Sequence, residues 1–101
     1  MIINKTLLKQ IYYRLFYPNQ KKVAGKKNKI SIKNSLMRNN NFHIKGENNF
    51  INAHEDFLYN ASFIIFGNHN QINIKKNSTL SGCDIWIEGD YNVGILANML
   101  P

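Results

Sequence analysis

One cysteine, Cys83, is all this chain of 101 residues has. That excludes an internal disulfide framework and a zinc site built from several thiolates. The chain has no apolar run near the ~18 residues needed to cross a bilayer. Its longest, Phe63-Ile64-Ile65-Phe66, is strand-sized. A secretory leader is not legible, because Lys5, Lys9 and Arg14 interrupt every stretch that could serve as its apolar centre. A cytoplasmic location is therefore expected. Acidic residues are scarce and unevenly placed. Residues 1–33 hold nine Lys and Arg and no Asp or Glu, a charge of +9, whereas the remainder has four basic against six acidic residues, a charge of −2. The familiar local signatures of catalysis are missing too: no phosphate-cradling Gly-rich loop ending in Lys-Ser/Thr, no nucleophile elbow and no His pair at metal-ligand spacing.

What is present is a period. The stretches GKKNKISIK, GENNFINAH and GNHNQINIK begin at Gly25, Gly46 and Gly67, and a weaker copy, GDYNVGILA, begins at Gly89, so the spacings are 21, 21 and 22 residues. Aligned on these glycines, Ile30/Ile32, Ile51/Ala53 and Ile72/Ile74 fall in equivalent places, as do Phe42/Ile44, Phe63/Ile65 and Ile85/Ile87. Met37, Leu58 and Leu80 lie between those pairs. Each repeat thus supplies three short segments with alternating apolar residues, which put Ser31, Asn52 and Asn73 on the opposite face. Three inward segments per repeat, separated by polar bends, describe one turn of a parallel β-solenoid. A hairpin meander would show turn signals every 8–12 residues without so strict a long period. Stacked coils would bring Asn28, Asn49, Asn70 and Asn92 into one column at the corner after each Gly, with side-chain amides bonded along it and left-handed backbone tolerated there.

Ahead of the repeats, residues 5–17 place Leu7, Leu8, Ile11, Leu15 and Phe16 at helical spacing, with Lys9 and Arg14 off the stripe. Asn4 or Thr6 is available as N-cap and Pro18 ends the helix. The expectation is a mainly β chain divided into a basic amphipathic helix and linker, 1–24, and β-helix coils, 25–101. Such a helix either packs its stripe on the domain behind it or lies on an anionic membrane surface. Nucleic-acid binding has only charge and Tyr12, Tyr13 and Tyr17 to recommend it, with no recognised binding fold.

Candidate functional residues are few. His43 precedes Ile44 on the outward side of a coil, His54 has Glu55 and Asp56 beside it, and His69 occupies a corner between Asn68 and Asn70. A solvated surface role is the default for each; only geometry could make a dyad of His54 and a carboxylate. Cys83 aligns with Ala61, as a small buried residue would. Ile64 and Trp86 stack on the outside of one face and form an apolar strip that the helix or a second subunit should cover.

A basic amphipathic helix, a Lys-rich linker, the three coils quoted above and the segment SGCDIWIEGDYN together resemble the N-terminal portion of bacterial hexapeptide-repeat acyltransferases with a left-handed parallel β-helix. Within that class the similarity is to the branch that O-acetylates surface or capsular polysaccharides, and it covers about residues 5–93. The resemblance implies acetyl transfer from acetyl-CoA to a sugar hydroxyl, a His as general base and a cleft between subunits of a homotrimer. It alone carries the handedness. In that family the catalytic His and the CoA surface lie in later coils, so no catalytic role maps onto His43, His54 or His69. The ending VGILANMLP departs from the aliphatic pattern. The expectation is therefore a truncated front scaffold, inactive alone. The alternative is a non-enzymatic solenoid used for interaction or at the membrane surface.

Overall fold

A computed structural model of the chain describes residues 5–99. After one helix, α1 (Lys5–Phe16), eleven strands follow: β1 (Gln20–Ala24), β2 (Lys29–Lys33), β3 (Leu36–Arg38), β4 (Asn41–Lys45), β5 (Phe50–His54), β6 (Phe57–Tyr59), β7 (Ser62–Phe66), β8 (Gln71–Ile74), β9 (Thr79–Ser81), β10 (Asp84–Glu88) and β11 (Val93–Leu96). They form three parallel sheets, ordered β1-β4-β7-β10, β2-β5-β8-β11 and β3-β6-β9. Every third strand returns to the same sheet, which is the connectivity of a three-sided parallel β-solenoid. The pairs Phe42↔Phe63 and Ile85↔Phe63, Ile51↔Ile72 and Ile30↔Ile51, and Leu58↔Leu80 and Met37↔Leu58 are in register, as the sequence period predicts.

Alternation then sends those residues inward. Phe42, Ile44, Ile51, Leu58, Phe63, Ile65, Ile72 and Leu80 are fully buried, and the Phe42 and Phe63 rings stack with centroids 5.1 Å apart. With each coil counted as one strand from each sheet in turn (β1–β3, β4–β6, β7–β9, then β10 and β11), all eight belong to the two middle coils. Their counterparts Ile30 and Ile32 in the first coil, and Ile85, Ile87 and Leu96 in the fourth, pack on this core only partly buried. The core therefore sits in the middle of the stack.

Several expectations need correction. The segment read as linker contains β1, whose residues Gln20–Ala24 pair with Asn41–Lys45 although all five are exposed. Backbone bonds to the next coil suffice to hold an edge strand, and the Gly46 N–H donates to the Ala24 carbonyl at 3.0 Å. The fourth coil continues past Gly89. Val93–Leu96 pairs with β8, and Met99 bridges to Leu80 in the third sheet. The aliphatic pattern fails where Gly94 stands opposite Ile72, but parallel pairing continues past it.

The helix is present as predicted, beginning at Lys5, so Thr6 lies within it and the proposed cap Asn4 lies outside the described residues. It does pack on the solenoid, beside β3, but most of its apolar stripe is not in that contact; only Leu7, which lines a groove with Leu36 and Phe57, lies on that side. Gln10, Tyr13 and Tyr17 face the solenoid, while Leu8, Ile11, Leu15 and Phe16 are exposed.

Candidate functional site

The corners carry most of the polar chemistry. At the first, Asn49 Oδ1 accepts from the backbone N–H of Asn70 at 2.9 Å, and Asn49 Nδ2 donates to the Gly67 carbonyl at 2.9 Å. Asn28 and Asn70 repeat the pattern one coil away on either side, toward Gly46 and Gly89, and Asn92 closes the column against Asn70 Oδ1 at 3.0 Å. The amides of Asn28, Asn49 and Asn70 thus each bridge to the next coil through both Oδ1 and Nδ2, so a spacing of 21 or 22 residues becomes a direct bond. The predicted column is there, but its backbone is not left-handed. Positive φ falls one residue earlier, on Lys27, Asn48, His69 and Tyr91 at 57–59°. The glycines beside this column are required for space. A Cβ on Gly25, Gly46 or Gly67 would lie 1.8 Å from the glycine carbonyl oxygen of the following coil.

Two further columns were not found in the sequence. Asn40 Nδ2 donates to Asn19 Oδ1 at 3.0 Å and to the Leu58 carbonyl at 2.7 Å, and Asn40 Oδ1 accepts from the Ala61 N–H at 3.0 Å. At the remaining corner, Ser35 Oγ accepts from the Asp56 N–H at 3.1 Å, and Asp56 accepts from the N–H groups of Ser78 at 2.7 Å and His54 at 2.8 Å. The Asn19/Asn40 spacing of 21 was available as a signal. The Ser/Asp/Ser column changes residue type at each coil and gave none.

Asp56 is consequently a buried structural carboxylate rather than a partner for a histidine side chain. His54 instead faces Glu55, Nε2 to Oε1 at 3.6 Å, and Glu55 also meets Lys76 Nζ at 3.7 Å, all three at the surface. His43 points outward from β4 with its ring edge-on to Phe66 at 5.1 Å. His69 lies at the first corner, its ring stacked on Tyr91 at 4.7 Å and 4°. The fold thus distributes the three histidines over a sheet face, a strand end and a corner, and brings none of them together. Among the described residues, no group of three or more His, Cys, Asp or Glu is placed to hold a metal ion.

Cys83 packs against the core but stays half-buried, because the fourth coil has no coil beyond it among the described residues. Burial raises its thiol pKa above the ordinary value, and the neighbouring Asp84 carboxylate raises it further. Such a thiol is a poor nucleophile at neutral pH. Ile64 and Trp86 do align on the outside of β7 and β10. Phe66, which sequence reading passed over, joins them, with its ring 6.0 Å from Trp86 in an edge-on arrangement. Among the described residues α1 does not cover this strip, since the helix packs beside β3 in another sheet.

Beside α1, two grooves of about 450 Å³ each open on either side of Gln10. Arg14 and Lys21 line one, and Glu55 lines the other, but no histidine reaches either. Across the helix contact, the Arg38 guanidinium sits over the rings of Tyr59, Tyr17 and Tyr13 at 4.8, 5.4 and 5.5 Å. Burial, followed by the nearby Tyr13, raises the pKa of the Tyr59 phenol, while Arg38 opposes the shift.

These features define a parallel β-solenoid with a helix latched to the rim of its first coil. Set against models of known protein families, the chain matches none. Comparison with curated proteins gives no significant match. Comparison with solved structures gives none either.

Proposed function

We propose that this chain is a scaffold of the hexapeptide-repeat acyltransferase kind, of the branch acting on surface polysaccharides, and that it supports chemistry without performing it. The observation that carries the reading is the architecture: three parallel sheets whose coils repeat in register behind a basic helix, the arrangement the sequence resemblance implies. Acetyl transfer to a sugar needs a general base within hydrogen-bond reach of the hydroxyl. The three histidines do not fit that role. His43 lies against Phe66, His69 lies on Tyr91 and His54 lies beside Glu55 at the margin of one groove, and none of the three lines either groove that flanks α1. No step of transfer is therefore assigned to these histidines.

The test is to read the genomic DNA downstream of the codon for Pro101 in every frame. Further Gly-x-x-Asn-x-Ile coils followed by a His-bearing turn are expected. This chain alone should then turn over no acetyl-CoA in the presence of a sugar acceptor. Coding sequence without such coils would overturn the assignment and leave a solenoid that works by binding alone.

A further inference from the structure

The orientation of α1 runs against the usual rule that an amphipathic helix turns its apolar stripe toward the core. Gln10 Nε2 donates to the Ser35 carbonyl at 2.9 Å, and Tyr13 and Tyr17 close over Arg38. These three residues, at i, i+3 and i+7, fix the rotation of the helix about its axis. The same rotation points Leu8, Ile11, Leu15 and Phe16 outward, 52, 45, 69 and 65% exposed. Lys9 and Arg14 flank that face and are exposed as well.

The charge around it has one sign. Residues 5–38, which make up α1 and the first coil, hold ten Lys and Arg and no acidic residue. β1, β2 and β3 are the edge strands of their three sheets, so these cations gather at one end of the stack. The ion pairs of the described residues engage Glu55 with His54 and Lys76 and neutralise none of them.

We infer that α1 and the first coil dock on an anionic lipid bilayer, with Leu8, Ile11, Leu15 and Phe16 entering the interface and the surrounding lysines facing the headgroups. At 12 residues α1 is too short to span, so it lies in the plane of the surface. A short apolar face alone binds weakly and reversibly, and a basic patch supplies the second signal that makes attachment stable. Charge complementarity selects this occupant. A second copy of the chain would bring two basic ends together, and a nucleic acid would leave the apolar face unused.

The experiment is co-sedimentation of the full chain with phosphatidylcholine vesicles, with and without phosphatidylserine. Two variants accompany it, Leu15→Glu/Phe16→Glu and Lys21→Glu/Lys22→Glu. All four positions are exposed, and far-UV circular dichroism checks that the strand signal is kept. Binding is expected only with phosphatidylserine, weakening as salt is added. The lysine variant should partition at least about thirtyfold more weakly, and the apolar variant should stay in the supernatant. Equal binding to both vesicle types, or no binding to either, overturns the inference. So does binding that Leu15→Glu/Phe16→Glu leaves intact, or a dimer in solution that this variant dissolves.

Discussion

Replacing Asn49 with alanine removes a side chain that is fully buried and bonded to both neighbouring coils. The backbone N–H of Asn70, itself buried, loses its acceptor, and the Gly67 carbonyl loses a donor. The buried Asn70 N–H left unpaired costs about 1–3 kcal/mol, and the half-buried Gly67 carbonyl adds about 1 kcal/mol more, so the substitution should cost about 2–4 kcal/mol. That is a large share of the roughly 5–15 kcal/mol that holds a domain folded. Asn28→Ala is the internal control. It breaks the equivalent bonds to Asn49 and Gly46, but Asn28 is only half-buried and water can replace its amide. Its cost should stay near about 1 kcal/mol.

Asn49→Asp sharpens the case. A carboxylate can still accept from the Asn70 N–H but cannot donate to the Gly67 carbonyl or to Asn28 Oδ1. Burial raises the folded-state pKa of the introduced carboxyl above its unfolded value of about 3.9. The protonated folded form is therefore favoured at low pH, and the variant's stability falls as pH rises through the raised folded pKa. Urea unfolding followed by far-UV circular dichroism, repeated across pH, measures all three variants. If Asn49→Ala cost no more than Asn28→Ala, or if Asn49→Asp lost nothing as the pH rose, the amide column would not be what holds coil to coil.

Gly46→Ala should unfold the chain or lower its stability by several kcal/mol. Its backbone has φ 139° and the new Cβ would meet a backbone oxygen at 1.8 Å, whereas Gly89→Ala meets only Asn92 Nδ2 at 3.4 Å. Both positions carry the positive-φ strain of about 1–3 kcal/mol. A gap between them in thermal melting isolates the clash, and equal losses would refute it. Cys83 should react with a thiol-alkylating reagent more slowly than free cysteine at pH 8, because burial and Asp84 both hold its proton on. Asp84→Asn should speed the reaction, and an unchanged rate would remove the carboxylate from the account.

Much of the scaffold is legible in the sequence, for a physical reason. In a solenoid the residue one period away is the spatial neighbour, so a long-range contact is written as a fixed offset. Phe42 and Phe63 stack because they are 21 residues apart, and Asn49 bonds Asn70 for the same reason. The Gly column was visible as spacing, and its cause is the close approach of successive coils. The amphipathic helix could be read from its 3.6-residue pattern.

What the period could not carry had to come from tertiary structure. QKKVA has no strand signature of its own, and only the exposed backbone of β4 makes it a strand. Asp56 looked like a companion of His54 until the turn sent its carboxylate inward to two backbone N–H groups. The face that α1 presents was the furthest from reach. A hydrophobic pattern states which residues share a face, but not which face meets the protein. Here Arg38 and Tyr59, from two different coils, meet Tyr13 and Tyr17 at the rim and decide the rotation, leaving Leu8, Ile11, Leu15 and Phe16 outward.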